Sequence, residues 1–133
     1  MLKLEIVTPE KRVLDAEVDS VTVPTASGEV GILPNHAPLI SALRPGILSY
    51  TVKGAATRLA VTGGFVEVGP ERVAVLADTA ETADEIELDA AKAMRDDAQS
   101  ALTAIASGSL DDTEAARDRL DGAAARVLLA SGK

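Results

Sequence analysis

Gly28-Glu29-Val30-Gly31-Ile32-Leu33-Pro34-Asn35-His36-Ala37-Pro38-Leu39 breaks a chain that otherwise alternates like sheet. Glycine permits bends that a side chain forbids, and proline removes backbone donors, so this stretch interrupts a sheet at a defined place. A turn built from Pro34, Asn35, His36 and Pro38 is stiff and loses little entropy when something docks on it. Glu29 stands between two glycine neighbourhoods with little side-chain bulk nearby, so its carboxylate is available to a basic or amide group. Glu29, Pro34, Asn35, His36 and Pro38 are therefore the candidate partner-binding residues.

On both sides of that stretch the apolar residues recur with period two. Leu2, Leu4 and Ile6 alternate, as do Val21 and Val23, Leu59 and Val61, Val66 and Val68, and Val73 and Val75. Period two with β-branched enrichment predicts half-buried strands, placed at about 2–8, 12–23, 30–33, 46–53, 57–62, 64–68 and 72–78. Turn residues fall between them, among them Pro45-Gly46, Gly63-Gly64 and Gly69-Pro70. Short strands at this spacing predict a sandwich or flattened barrel.

After residue 85 the period becomes helical. Leu88, Ala91, Met94, Ala98, Leu102 and Ile105 share one face, and Ala116, Leu120, Ala123 and Val127 share another. Ser107-Gly108-Ser109 separates the two runs, and Asp111 with Glu114 fits a capping pair. Two alanine-rich helices of about 19 residues, ~28 Å each, predict an antiparallel hairpin. The fold class is thus α+β, with a sheet domain, sandwich or flattened barrel, over 1–85 and a helical hairpin over 86–133. The polar segment Thr79–Glu85 between them reads as a hinge. Alanine buries little surface, so the hairpin is expected to be only marginally held, with the sheet domain as the stable unit.

Composition narrows the function. A net charge of −8 disfavours nucleic acid and anionic lipid as partners. The chain has no cysteine and one histidine, which removes disulfides, thiolate sites and any two-histidine metal site. Residues 81–133 hold 6 basic and 12 acidic side chains, so most of the acidity lies in the hairpin. Met1-Leu2-Lys3-Leu4-Glu5 alternates and carries charge, unlike a signal peptide, and no apolar run approaches the ~20 residues of a spanning helix. His36 lacks a nucleophile elbow, and Gly63-Gly64 lacks the lysine and following helix of a phosphate loop. No catalytic residues and no metal site are expected. The chain reads as a soluble intracellular protein that a membrane complex could hold.

Six segments occur in a fixed order. They are Leu4-Glu5-Ile6-Val7-Thr8-Pro9, residues 28–39, Leu43-Arg44-Pro45-Gly46, Thr62-Gly63-Gly64-Phe65-Val66-Glu67-Val68, Val75-Leu76-Ala77-Asp78 and Leu88-Asp89-Ala90-Ala91-Lys92-Ala93. Together they resemble the epsilon subunit of F-type ATP synthases, the delta subunit in mitochondrial naming. The resemblance covers nearly the whole chain. It implies a sandwich of about ten strands followed by the two-helix hairpin. It also implies a non-catalytic rotor subunit in the central stalk, at the cytoplasmic face of the plasma membrane. The sandwich would bind the gamma subunit and rest on the c-ring, with Glu29 and the Pro34–Pro38 turn at its bottom. The hairpin would fold down, or extend toward the catalytic head subunits and inhibit ATP hydrolysis.

In several bacterial members ATP stabilises the folded-down hairpin through a motif [IL]DxxRA and arginines of the second helix. Here Leu88-Asp89-Ala90-Ala91-Lys92-Ala93 carries lysine for arginine, Arg126 falls at a matching place, and Gly122 stands where another arginine would help. Lysine lacks the planar fork of guanidinium, so ATP at Asp89, Lys92 and Arg126 is expected to be a weak regulatory ligand, with no cofactor required. The basic residues offered to the catalytic head are Lys92, Arg95, Arg117, Arg119, Arg126 and Lys133, diluted among acids. Two other functions remain open: a stand-alone ATP-sensing module, and a small hydrolase using His36 or the acidic residues.

Overall fold

Leu2, Leu4 and Ile6 are fully buried while Lys3 is exposed, so the first alternating run forms a strand with one face in a core. The computed structural model describes the backbone of residues 1–105 and 110–132, and the side chains of 1–105 and 113–132. It contains β1 (Leu2–Val7), β2 (Arg12–Val18), β3 (Ser20–Thr25), β4 (Gly28–Ile32), β5 (Leu39–Ala42), β6 (Gly46–Val52), β7 (Ala55–Thr62), β8 (Phe65–Val68), β9 (Arg72–Leu76) and β10 (Thr79–Thr82). Two helices follow, α1 (Leu88–Ala104) and α2 (Leu110–Ser131). One five-stranded sheet has the order β2-β1-β9-β8-β5 and the other β10-β7-β6-β3-β4. Pairing is antiparallel except between β1 and β9, which run parallel.

The two inner faces meet in one aliphatic core, with Leu4, Val23, Leu48, Val61, Val66 and Val75 all buried between the sheets. Without tryptophan, and with a single tyrosine and phenylalanine, this core is made of Val, Leu and Ile, as composition requires. Of the places where the chain crosses between sheets, Gly63-Gly64 (β7 to β8) and Ala77-Asp78 (β9 to β10) lie against each other: the Asp78 amide donates to the Thr62 carbonyl at 2.9 Å.

The structure departs from the period-two reading in three places. The run 12–23 is two strands, broken at Asp19, whose carboxylate accepts the Lys53 amide at 2.7 Å and whose own amide donates to Thr51. β5 begins at Leu39, the last residue of the interruption, and runs to Ala42, where no strand is expected. The segment 79–85 is not a free hinge: Thr79–Thr82 pairs with β7 as β10, and Ala83–Glu85 forms a 3-10 turn. That turn is capped reciprocally by Thr82 and Glu85. The hydrogen bonds from Thr82 hold the Glu85 carboxyl below its ordinary range, with help from Lys11 at 3.7 Å.

The hairpin helices are 17 and 22 residues long. The expected break at Ser107-Gly108-Ser109 and the Asp111 cap lie outside the described residues or side chains, as does Lys133. At the other end, Glu87 caps α1: its carboxylate accepts from the Ala90 and Asp89 amides at 2.7 and 3.2 Å. Ala91 and Ala98 are buried as the helical stripe predicts, but Met94 is 50% exposed, because it faces the open side of a cleft. α2 packs on β6 and β7, and α1 packs on α2. A second core forms there, joining the outward-facing Ala60 and Ile47 to Ile86, Ala91, Ala125 and Leu129. Gly122 sits against Thr62, and Gly132 against Arg58, so α2 runs down the outer face opposite to β7. The spacing agrees: ten helical residues span ~15 Å and four strand residues ~13 Å.

Candidate functional site

The two outer faces of the sandwich have different fates. That of the second sheet is covered by α2. That of the first is open, and its chemistry is graded. Reading across the strands in register, one row runs Arg12, Val7, Leu76, Phe65, Ala42, and the next Asp15, Glu5, Ala74, Glu67, Ile40. Toward β2 the charges are paired: Arg72 to Glu5 at 3.0 Å, Arg12 to Asp15 at 3.0 Å and Lys3 to Asp15 at 3.6 Å. Toward β5 the face is mainly apolar, with Phe65 59%, Leu76 56% and Ile40 74% exposed and Glu67 as the charge among them. Phe65 and Leu76 stand directly opposite each other, so their side chains form one continuous apolar surface. Large apolar side chains clustered in the outward register are what an interface presents, since a solvated face would hold polar groups there.

The partner-binding candidates do not all gather in one place. In register Glu29 lies opposite Pro24, beside the β3–β4 turn, whereas Ile32 lies opposite Val21 at the far end of the same strand. The Pro34–Pro38 turn follows that far end, which lies ~10 Å from Glu29 at the strand rise. Glu29 and the turn therefore do not form a single bottom loop. The strand expected at 30–33 runs from Gly28 to Ile32, so it includes Glu29 and carries the chain away from it to the turn. The turn itself is well ordered: the Asn35 amide donates to the Pro70 carbonyl at 2.6 Å, and the His36 amide to Leu33 at 3.2 Å. Asn35 has a left-handed φ of 68°, which asparagine tolerates. His36 Nδ1 is 2.7 Å from the Ala37 carbonyl, so this histidine acts within its own turn. Pro34, Asn35 and Pro38 are exposed, and Pro38 leads through the inward Leu39 to Ile40 of the apolar stripe. Glu29 is exposed and forms no ion pair among the described residues.

The three tentative nucleotide contacts are also divided. Asp89 and Lys92 are exposed on α1, and neither enters an ion pair among the described residues. Arg126 is already engaged: its Nε is 2.9 Å from Glu81 Oε1, its Nη2 donates to Glu81 Oε2 at 3.3 Å, and its Nη1 to Met94 Sδ at 3.1 Å. One guanidinium thus ties α2 to α1 and to β10. Beside it lies a cleft of about 530 Å³ bounded by Pro45, Thr62, Asp78, Asp118, Arg119 and Gly122. Sequence reasoning missed Glu81, which stands on a strand that read as linker. It also missed Phe65, Leu76 and Ile40, although an outward-register phenylalanine beside Glu67 is a legible signal. Among the described residues no cluster of histidine or acidic side chains could hold a metal, and no helix is long and apolar enough to cross a membrane.

Residues 1–83 match the family model described as ATP synthase, Delta/Epsilon chain, beta-sandwich domain. The ATP synthase epsilon chain of Desulforamulus reducens is 46% identical over 128 residues, 96% of each chain. That of an Anaeromyxobacter species (strain K) is 45% identical over 129 residues, 97% of each. Among solved structures, a chain of the Euglena gracilis mitochondrial ATP synthase, OSCP/F1/c-ring, has the same fold, with TM-score 0.78 at 22% identity, covering 99% of this chain and 81% of that one. A chain of the Tetrahymena thermophila mitochondrial ATP synthase, central stalk and c-ring, aligns with TM-score 0.64 at 19% identity, covering 98% and 94%. With the ten-stranded sandwich, the two-helix hairpin and relatives matched along nearly their whole length, the chain belongs to the ATP synthase delta/epsilon chain family, a subunit that is not itself an enzyme.

Proposed function

We propose that this chain is a central-stalk rotor subunit of a proton-translocating ATP synthase, peripheral at the cytoplasmic face of the plasma membrane. The observation that carries the reading is the asymmetry of the sandwich. One outer face is covered by the chain's own hairpin, and the other presents Phe65, Leu76 and Ile40 to solvent. The apolar face, with the stiff Pro34–Pro38 turn beside it, is the surface for the gamma subunit. Glu29, at the opposite end of β4, is the contact for polar loops of the c-ring. A docked partner at the apolar face leaves the hairpin on the other face free to leave or return, so attachment and regulation occupy separate surfaces. The hairpin, when released, reaches toward the catalytic head and restrains ATP hydrolysis. ATP binds this chain too weakly to govern the hairpin, because a phosphate reaching Arg126 must displace Glu81 from it.

Co-expression with the gamma subunit tests the attachment. The natural chain co-purifies with gamma, and Phe65→Asp combined with Leu76→Asp weakens that association at least about tenfold, since two charges then enter an apolar contact. Both side chains point outward, so the isolated variant keeps the thermal transition of the natural chain. Undiminished binding of gamma by the folded double variant would move the interface elsewhere. A second measurement addresses Glu29. In the assembled enzyme, Glu29→Lys is expected to lower the proton pumping obtained per ATP hydrolysed, with the subunit still incorporated. Fully coupled pumping in that variant removes Glu29 from the c-ring contact.

A further inference from the structure

We infer that the hairpin is latched against the sandwich by the chain's own Glu81–Arg126 pair, with no nucleotide needed, and that this pair is the point of release. The inference rests on the reading that the hairpin moves, and it names what holds it. Arg126 is 20% and Glu81 27% exposed at the side chain, so the pair is shielded from solvent more than Arg44–Asp121, the other ion pair between α2 and the sandwich among the described residues, at 3.6 Å with exposures of 51% and 45%. Shielding strengthens the attraction, and removing one partner leaves the other charge uncompensated where water is partly excluded. The geometry is of a clasp: Nη2 donates to one carboxylate oxygen, Nη1 to the Met94 sulfur, and the buried Nε lies against the other oxygen without an aligned hydrogen bond. Two of the five N–H donors are committed in this way, and a phosphate approaching the guanidinium meets the Glu81 carboxylate already seated on it.

Two features of the seam point the same way. The adjoining cleft is lined by Asp78, Glu81 and Asp118 against Arg119 and Arg126. Three carboxylates facing two guanidiniums repel a polyphosphate. At Gly122, a Cβ would stand 3.2 Å from Thr62 Cγ2 and 3.6 Å from Pro45 Cβ. The missing side chain lets α2 approach β7 closely, so the hairpin closes on the sandwich directly. Direct packing and an internal ion pair together do what a bound anion would do by bridging.

Hydrogen exchange on the full isolated chain tests the latch, with the protection of α2 amides as the readout. Glu81→Gln keeps the volume and removes the charge, and is expected to lower α2 protection about tenfold while leaving β1 and β9 unchanged. The exchanged pair Glu81→Arg with Arg126→Glu is expected to recover most of that loss. Millimolar magnesium-ATP leaves the protection of the natural chain unchanged. Undiminished α2 protection in Glu81→Gln would overturn the latch, as would a tenfold gain on adding ATP to the natural chain. Because the measurement needs no partner, it succeeds or fails independently of gamma binding and of hydrolysis by the assembled enzyme.

Discussion

A fragment ending at residue 85 is expected to fold alone and to unfold in one cooperative transition. The reason lies in how the two cores divide the chain. Among the described residues, the core between the sheets draws its buried side chains from Leu2 to Ala80, and none from the hairpin. The second core lies outside the sandwich and joins Ala60 and Ile47 to hairpin residues. Cutting at residue 85 removes the second core and leaves the first intact. What is lost is cover over one patch of the second sheet, made mainly by small side chains, so the cost is about 1–3 kcal/mol. The complementary fragment, 86–133, fares differently. Helices of 17 and 22 residues are near the limit of independent stability, and their Ala91, Ala98 and Ala123 contacts bury little area. It is expected to be largely unfolded or only partly helical by circular dichroism. A sandwich fragment without a sigmoidal unfolding curve would show that the hairpin is an integral part of the fold.

This division of labour was legible in the alternation itself, because a period-two run with Val and Ile inside can hide only one face. The sandwich, the hairpin and their order follow from that. What escaped was whatever alternation does not encode. β5 has apolar residues on both faces, Leu39 inward and Ile40 outward, and so shows no period. β10 buries only Ala80 and is otherwise polar, as an edge strand can be. The corner at Asp19 carries neither glycine nor proline, and its turn is made by a side chain reaching Lys53, 34 residues away. The Glu81–Arg126 pair spans 45 residues, and local pattern holds no information about such a partner. The apolar stripe is the opposite case. Phe65 is followed by buried Val66, exposed Glu67 and buried Val68, so its outward register was readable before any coordinates.

The crossing at Gly63-Gly64 yields the largest single-residue effect expected in this chain. Gly64 has φ +92°, a region where an L side chain is strained by ~1–2 kcal/mol. Strain alone would be tolerable. At Gly64, however, a Cβ would also land on the Leu76 carbonyl group, with its carbon 2.8 Å away and Ala77 Cα 3.0 Å away. Those atoms are backbone at the Ala77-Asp78 crossing between sheets, and they cannot turn aside as a side chain would. To make room, the 63–64 segment must move off 76–78, and the Leu43 amide then loses the Gly64 carbonyl that it reaches at 2.9 Å. Gly64→Ala is therefore expected to cost about 4 kcal/mol or more, a large part of the stability of a domain this size. Gly54 supplies the control. It has φ +81° in the β6–β7 turn, with nothing within 4 Å of the added carbon, so Gly54→Ala carries the strain and not the collision. Urea unfolding of the two variants separates the terms: Gly54→Ala is expected to lose ~1–2 kcal/mol and Gly64→Ala at least twice that. Equal losses would mean that the two crossings are not in contact. In that case the support of Phe65 and Leu76, which flank this contact on the apolar face, would have to come from the strands alone.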